Sequence, residues 1–274
     1  MPEPSDHTGE IDGLPIFWRS ASAPAGGAGR GVPLYLHGVP NNSDDWLAFL
    51  ARSGGLAPDL PGFGRSGKPG SLRFTIEEYA GFLERFLELT GVERVKLVMH
   101  DWGSVGLAFA QRHPERIERL AVINAVPLLP GYRWHRTARI WRTRVLGELA
   151  MGAINERVLR VLSREANATP GPMPQTWRTS VLEHFDQGTQ RAILKLYRSA
   201  PEDALAAAGR HLADVTAPAL VVWGDRDPYI EPRFGDGFAA ALGDATVEHL
   251  PDAGHWPWLE RPDLVARLCD WIAA

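Results

Sequence analysis

The sequence predicts an α/β protein in which a mostly parallel β-sheet is flanked by helices. Short apolar runs alternate with stretches of helical periodicity along most of the 274 residues. This alternation is the pattern of strand–helix–strand units. Between residues 127 and 214 the strand pattern disappears and helical periodicity continues. This stretch is therefore predicted to be a helical lobe inserted after one strand, above the carboxyl ends of the sheet, where open α/β folds bind ligands.

The individual elements follow from local patterns. Short apolar runs predict strands at residues 14–18, 33–36, 55–59, 95–99, 120–124, 219–223 and 246–250. The clearest helices are predicted at residues 76–89, 105–112, 238–242 and 263–272. The first helix follows Thr75, with Glu78 three positions on as in a capping box, and it stops at Gly91. Residues 22–31, rich in Gly and Ala, predict a surface turn.

Composition excludes several classes of partner. Twenty-nine basic and 33 acidic residues give a net charge of −4, which offers no attraction for nucleic acid or an anionic membrane surface. No signal peptide or membrane span is expected, and the single cysteine, Cys269, fits a reducing cytoplasm. The ten tryptophans suggest a large apolar pocket. The expected partner is a small apolar organic substrate, bound by a monomer or homodimer.

A strand that runs directly into a helix places Asp101 at an exposed tip. The segment 95–104 reads VKLVMHDWGS, and such a sharp turn presents its central residue at the helix N-terminus. The helix dipole there favours a negative charge, so Asp101 should stay ionised. Taken alone, Asp101 could equally be a residue that only caps the helix.

Two further segments add an acid and a histidine. Asp225 and Asp227 lie in a loop after the strand at 219–223, and His255 lies in a glycine-bearing loop after the last predicted strand. The chain order of nucleophile, acid and histidine, each after a strand, is typical of a hydrolytic triad. We therefore predict that Asp101 is the nucleophile and that His255 is the base.

On these motifs the sequence resembles the α/β-hydrolase superfamily over nearly its full length. The aspartate at 101 points to the epoxide hydrolase and haloalkane dehalogenase branch, supported by Trp46 and by the segments 37–40, 57–66, 100–103 and 254–256. The resemblance implies an α/β-hydrolase fold with a core at residues 1–126 and 215–274 and a helical cap at residues 127–214. It also implies that the triad acid is Asp227, with Asp225 as a fallback. Some relatives carry the acid at the position of Asn124, whose amide cannot serve.

An aspartate nucleophile constrains the chemistry. A carboxylate needs no deprotonation before it attacks, so a saturated carbon with a leaving group is the suitable target, and the product is an alkyl ester of Asp101. His255, oriented by Asp227, would then activate a water that hydrolyses the ester. By resemblance, the backbone N–H groups of Trp102 and Val39 would hold the oxyanion. This chemistry requires no cofactor and no metal.

Two hypotheses differ in the leaving group of the substrate. In the first, the substrate is an epoxide. An epoxide oxygen needs a proton, and Tyr197 resembles a tyrosine that epoxide hydrolases supply from the cap. Trp141 falls near the usual position of a second tyrosine, and Tyr132 is another candidate. His37 and Trp256 are also predicted to contact substrate. His100 before the nucleophile favours an epoxide, because dehalogenases usually have glutamine there.

The alternative is a halide leaving group. A halide is stabilised by N–H donors such as tryptophan indoles, and Trp102 after the nucleophile fits this role. Val39, however, stands where many dehalogenases have a halide-binding asparagine. We therefore predict epoxide hydrolysis, with haloalkane dehalogenation as the alternative. Another hydrolase reaction on the same fold, or a ligand receptor without catalysis, is the second alternative.

Overall fold

The computed structural model describes residues 4–23 and 31–274, and in it eight strands form one sheet. The spatial order is β1-β2-β4-β3-β5-β6-β7-β8. Strands β3 to β8 are parallel, and β1 and β2 join one edge antiparallel. The predicted mostly parallel sheet is confirmed. The strands are β1 (Ser5–Ile11), β2 (Leu14–Ala21), β3 (Val32–Leu36), β4 (Gly55–Pro58), β5 (Val95–His100), β6 (Ile117–Ile123), β7 (Ala219–Gly224) and β8 (Ala245–Leu250).

Twelve α-helices lie in the described part of the chain. The core helices are α1 (Leu47–Ser53), α2 (Ile76–Thr90), α3 (Gly106–Arg112), α10 (Arg233–Ala241), α11 (Pro257–Glu260) and α12 (Asp263–Ala273). Six more lie between β6 and β7, namely α4 (Arg136–Arg142), α5 (Leu146–Gly152), α6 (Glu156–Leu162), α7 (Gln175–Glu183), α8 (Gln187–Ser199) and α9 (Glu202–Ala208). None of the helices in the described ranges is long and apolar enough to cross a bilayer. The predicted turn at residues 22–31 lies largely outside the described residues.

Local sequence sets the ends of α2 as predicted. The Thr75 hydroxyl accepts the Glu78 N–H at 3.2 Å, which satisfies one free donor of the first turn. Gly91 ends the helix in the left-handed region with φ of 69°, a conformation that glycine adopts without a Cβ clash. The apolar face of the helix, including Phe82 and Phe86, is buried against the sheet.

The core lies on both faces of the sheet because side chains alternate along each strand. Leu97 and Met99 of β5 join one apolar cluster, which α2, α3 and α10 cover. Val98 between them joins the opposite cluster, where α1 and α12 pack. A strand buried on both faces reads as a continuous apolar run, which is why these strands were recognisable in the sequence.

The sequence prediction missed β1. Its seven residues, SDHTGEI, are mostly exposed and pair only with β2 at the sheet edge. Asp12 and Gly13 connect the two strands with φ values of 51° and 78°. This is a two-residue turn in which both residues have positive φ, the usual hairpin connection for antiparallel strands.

Candidate active site

Asp101 lies at the carboxyl end of β5, in the centre of the sheet. It has φ of 49° and begins a 3₁₀ helix, Asp101–Val105, that leads into α3. A non-glycine residue in the left-handed region costs ~1–3 kcal/mol and is maintained by its surroundings. Gly103 permits the tight turn, because a Cβ there would lie 2.2 Å from the Leu36 carbonyl oxygen. This strained backbone conformation directs the Asp101 carboxylate toward the loop that follows β3.

That loop holds one carboxylate oxygen of Asp101. The Val39 N–H donates to Asp101 Oδ1 at 2.8 Å. Gly38 lies so close that a Cβ there would be 2.4 Å from the Asp101 Cβ, so the approach of the loop requires glycine. The Trp102 N–H, the second predicted oxyanion donor, makes no hydrogen bond to the Asp101 carboxylate among the described residues, and its role stays a prediction.

His255 and Asp227 converge on Asp101 from the ends of β8 and β7. His255 Nδ1 donates to Asp227 Oδ2 at 2.6 Å, and His255 Nε2 lies 3.5 Å from Asp101 Oδ2. Asp227 also accepts the N–H groups of Tyr229 at 2.8 Å and Ile230 at 3.1 Å. The three predicted triad side chains are therefore together, and all three are buried.

Asn124 supports the acid instead of replacing it. Its amide Nδ2 donates to Asp227 Oδ2 at 2.8 Å, while its Oδ1 accepts the Gly224 N–H at 2.9 Å. The fallback acid, Asp225, lies elsewhere, because its Oδ1 binds His249 Nδ1 at 2.6 Å near the surface. Of the two loop acids, Asp227 is thus the one that contacts His255.

Electrostatics hold the Asp101–His255 pair in its ionised form. Burial tends to lower the pKa of His255, but Asp227 and Asp101 outweigh burial and raise this pKa to about 10. Burial likewise tends to raise the pKa of Asp101, but the hydrogen bond and charge of His255 bring it below its usual value. The resting site therefore contains an imidazolium between two carboxylates. If the Asp101 charge were lost to an ester, a main cause of the raised His255 pKa would disappear.

Asp101 and His255 open into a mostly apolar cavity of about 100 Å³ between the strand ends and helices α4, α6, α7 and α8. Four of the predicted substrate-contact residues line it, namely Tyr132, Trp141, Tyr197 and Trp256. Trp134, Trp177, His135 and Tyr229 also line it. Among residues 4–23 and 31–274, no group of three or more His, Cys, Asp and Glu side chains is placed to hold a metal ion.

Tyr197 lies within an aromatic cluster beside the nucleophile. Its ring centroid is 5.2 Å from Trp102, 4.9 Å from Trp134 and 5.0 Å from Trp141. Burial is the main cause that raises the pKa of Tyr197, so its hydroxyl stays protonated at neutral pH. Burial also raises the pKa of Tyr132, whose hydroxyl has no hydrogen-bond partner among the described residues. Two protonated hydroxyls thus belong to the cavity wall.

His37 is a correction to the sequence prediction, because it does not line the cavity. Its Nδ1 donates to the Gly38 carbonyl at 2.8 Å, and its Nε2 accepts the Leu60 N–H at 2.9 Å. Burial lowers the pKa of His37, in keeping with a neutral ring that joins two backbone segments. His37 supports the loop that carries Val39 and has no free nitrogen for substrate.

Among the cavity residues that sequence reasoning did not find, Tyr229 and His135 lie closest to the triad in the pattern of ring contacts. The Tyr229 ring centroid lies 5.0 Å from that of His255. Because Tyr229 follows Asp227 by two positions, the sequence could have indicated that it lies near the triad. His135 contacts Tyr229 at 4.9 Å between ring centroids. No sequence signal distinguished His135 from other polar residues of the helical segment.

The chain is similar to known proteins over nearly its whole length. A model of the α/β hydrolase fold matches residues 34–262. The chain belongs to the α/β-hydrolase family. It is 30% identical to a haloalkane dehalogenase of Bradyrhizobium diazoefficiens, over 96% of this chain and 94% of that protein. It is 28% identical to a haloalkane dehalogenase of Mesorhizobium japonicum, over 99% of this chain and 94% of that protein.

Solved structures agree with this assignment. The haloalkane dehalogenase DbeA from Bradyrhizobium elkani superposes with a TM-score of 0.82 at 26% identity, covering 99% of this chain and 98% of that one. The epoxide hydrolase CorEH superposes with a TM-score of 0.81 at 20% identity, covering 99% of each chain, and it shows the shared fold alone. This α/β hydrolase is therefore haloalkane dehalogenase-like.

Proposed function

We propose that this α/β hydrolase removes halide from a small alkyl halide through an ester on Asp101. The observation that carries the proposal is the Asp101 carboxylate at the cavity, with Oδ1 bound by Val39 N–H at 2.8 Å and Oδ2 3.5 Å from His255 Nε2. The named relatives support halide as the leaving group. The sequence alone favoured an epoxide, and that reaction is now the second candidate.

The proposed reaction forms an ester on Asp101 and then hydrolyses it. An Asp101 oxygen attacks the carbon that bears the halogen, the carbon–halogen bond breaks, and halide leaves with its electron pair. The ester carries no charge, so the pKa of His255 falls and the imidazolium releases a proton to solvent. His255 then takes a proton from water, whose oxygen attacks the ester carbonyl. The Val39 N–H stabilises the oxyanion. Its collapse expels the alkoxide, which takes the proton from His255 and leaves as the alcohol. The new Asp101 carboxylic acid then gives its proton to His255, which restores the starting ion pair.

Indole N–H groups support the halide reaction. The Trp102 and Trp177 indole nitrogens are buried and have no hydrogen-bond acceptor within 3.5 Å among the described residues. Trp177 lines the cavity, and Trp102 packs behind Tyr197 directly after the nucleophile. A buried indole donor without an acceptor at this apolar cavity, such as that of Trp177, suits an anionic leaving group, because an unsatisfied buried donor is itself costly.

The two cavity tyrosines favour epoxide opening as the second candidate. An epoxide oxygen leaves as an alkoxide that must gain a proton, and Tyr197 and Tyr132 are protonated hydroxyls at the cavity. An alkyl halide needs no such acid. Loss of a tyrosine hydroxyl should therefore slow epoxide opening and leave halide release nearly unchanged.

Parallel assays separate the candidates. The enzyme is incubated with bromoalkanes and with alkyl epoxides, and bromide and diol are measured. We expect the unaltered enzyme to release bromide. Tyr197→Phe should leave the rate of bromide release nearly unchanged, and Trp102→Phe should lower it. Trp271→Phe on α12 is the matched control for the loss of a tryptophan. If the unaltered enzyme forms diol and Tyr197→Phe forms none, the epoxide reaction would replace the halide reaction as the proposal. Asp101→Asn should abolish both reactions, and full activity in that variant would refute both.

We also propose that residues 127–214 act as a cap over a core formed by residues 1–126 and 215–274. Side chains from this helical segment form most of the cavity wall opposite Asp101. Its Ala166 carbonyl accepts the N–H of His255 at 2.8 Å. Helix α7 contacts the loop after β3, where Ser180 Oγ lies 3.0 Å from Asn42 Nδ2. The proposed substrate is small and largely apolar, in keeping with this aromatic lining.

A further inference from the structure

The Tyr132 hydroxyl is a buried polar group without a partner in the described part of the chain. Tyr132 lies in the segment between β6 and α4, is only 3% exposed, and lines the cavity into which Asp101 opens. Its hydroxyl is shielded from solvent and has no hydrogen-bond partner within 3.5 Å among the described residues. A buried polar group without a partner destabilises the free protein, and a ligand that supplies the partner removes that penalty.

Aromatic packing and a tight turn hold the Tyr132 ring in place. The ring meets Trp134 edge to face, with centroids 5.1 Å apart and planes at 77°. It meets Phe234 of α10 in the same way, at 5.5 Å and 82°. Gly131, immediately before it, has φ of 85°, and the Gly131 carbonyl accepts a hydrogen bond from Arg233 at 3.2 Å. A group that is fixed before binding loses little conformational freedom when it binds a ligand.

Trp134 packs against both Tyr132 and the tryptophan that follows the nucleophile. Its ring centroid is 5.1 Å from that of Tyr132 and 5.5 Å from that of Trp102. The Trp134 indole N–H is already used, because it donates to the Ala200 carbonyl at 2.9 Å. The Tyr132 hydroxyl is therefore a further donor in the cavity wall, additional to the indole groups that the proposed reaction assigns to the halide.

The charges near Tyr132 restrict what its hydroxyl can bind. Burial is the largest cause that raises the pKa of Tyr132, and the carboxylates of Asp101 and Asp227 raise it further, so the hydroxyl keeps its proton and can donate it to a hydrogen bond. A halide leaves without a proton, so the proposed reaction does not use this hydroxyl as an acid. A second anionic group on the substrate would be repelled by the same two carboxylates. The fitting partner is an uncharged acceptor atom.

We propose that Tyr132 is a specificity-determining residue, whose hydroxyl binds an uncharged acceptor atom of the substrate other than the halogen. The substrate class is then a haloalkane whose chain carries an ether, carbonyl or nitrile group. This inference deepens the proposed function, and its kinetic test rests on that reaction. Tyr132 contacts the substrate in this role and takes no part in making or breaking bonds.

The kinetic test compares two bromides with chains of equal length. One is bromopentane, and the other is bromo-methoxypropane, in which an ether oxygen replaces one methylene group. The readout is kcat/KM for the ether divided by kcat/KM for bromopentane, so a general loss of activity cancels. We expect Tyr132→Phe to lower this ratio about three- to tenfold, the usual net value of one neutral hydrogen bond. The control Tyr79→Phe removes a buried hydroxyl outside the cavity and should keep the ratio of the unaltered enzyme.

An equilibrium measurement tests the same contact without the reaction. Binding of pentanol and of methoxypropanol, the two expected products, is followed by the fluorescence of the cavity tryptophans. We expect Tyr132→Phe to change the ratio of the two Kd values by the same factor. If this ratio changes as expected and neither bromide is turned over, the Tyr132 contact stands and the proposed reaction fails. If bromide is released and Tyr132→Phe leaves both ratios unchanged, the proposed reaction stands and the inference is overturned.

Thermal unfolding separates a hydroxyl that binds a ligand from one that supports the fold. The Tyr79 hydroxyl donates to the Pro61 carbonyl at 2.9 Å, so Tyr79→Phe should lower the midpoint of unfolding. Tyr132→Phe removes a hydroxyl that has no partner in the described ranges, so the midpoint should stay equal or rise. A midpoint that falls as far in Tyr132→Phe as in Tyr79→Phe would show that the Tyr132 hydroxyl serves the fold, and would overturn the inference.

Discussion

Replacing His255 with glutamine should stop the proposed reaction after its first half. Attack by Asp101 on carbon needs the carboxylate alone, and that carboxylate is held by the Val39 N–H at 2.8 Å independently of His255. Hydrolysis of the ester needs a base for water, and the His255 imidazole is placed to be that base, with Nε2 3.5 Å from Asp101 Oδ2. The variant is therefore expected to alkylate itself once and then stall.

The expected rates of steady-state turnover and of the first turnover differ, because only ester hydrolysis uses His255 as a base. A positioned general base contributes ~10²–10⁴-fold to a rate, so steady-state turnover should fall by about that factor, or ~3–5 kcal/mol in activation free energy. The first turnover should still release about one bromide per active site. Loss of the imidazolium removes the main cause that lowers the pKa of Asp101, so the burst should be slower at mildly acidic pH than at pH 8.

The assay combines rapid bromide detection with mass spectrometry of the peptide that contains Asp101. The expected result is a stoichiometric burst and one alkyl group on that peptide. His249→Gln is the matched control, because His249 pairs with Asp225 and Asp236 near the surface and its loss should leave turnover unchanged. A His255→Gln protein that gives neither burst nor adduct, with substrates that the unaltered enzyme turns over, would refute the reasoning.

Three further perturbations probe the site and its surroundings. Gly38→Ala places a Cβ 2.4 Å from that of Asp101, so turnover should be nearly lost and unfolding free energy should fall by ~1–3 kcal/mol, as measured by denaturant titration. Asp227→Asn removes a main cause of the raised His255 pKa, so the imidazole ¹⁵N titration should move to lower pH as kcat falls. Asp45→Asn should raise unfolding free energy at pH 8 by up to ~4 kcal/mol and by much less at pH 5.

Proton linkage makes the effect of Asp45→Asn on stability depend on pH. Burial in the folded protein raises the pKa of Asp45 from 3.8 to about 7, so the folded protein binds this proton more tightly than the unfolded chain does. The associated stability is present at low pH and is lost as pH rises toward 7. An Asp45→Asn protein with the same pH dependence of unfolding as the unaltered chain would contradict this reasoning.

Gly152→Ala is the control for Gly38→Ala, because a Cβ at Gly152 meets nothing within 4 Å.

Sequence was most informative where local pattern and function coincide. The apolar run of β5 leading into a helix identified Asp101, because a strand followed at once by a helix leaves one geometry for the residue between them. The loops after β7 and β8 indicated His255 and the two acids Asp225 and Asp227 for the same topological reason, since parallel strands end at one edge of the sheet, and the family resemblance favoured Asp227. Chain order and strand ends thus located the three side chains that the structure brings together.

Sequence was less informative where tertiary packing decides. The ring of His37 follows a strand end like the triad residues, yet the Leu60 N–H and the Gly38 carbonyl fix both of its nitrogens away from the cavity. Strand β1 was missed because an exposed edge strand lacks apolar alternation, although Asp12-Gly13 was a hairpin signal. The leaving group depends on which donors of the helical segment face the cavity, and helical periodicity does not specify that orientation.

A single turnover in H₂¹⁸O tests the central claim most directly, with enzyme in excess over a bromoalkane. If Asp101 forms the ester and water attacks its carbonyl, the first alcohol formed contains unlabelled oxygen and the peptide that carries Asp101 gains ¹⁸O. Alcohol that contains ¹⁸O in this first turnover, with an unlabelled Asp101 peptide, would show direct attack of water on the substrate and would contradict the account.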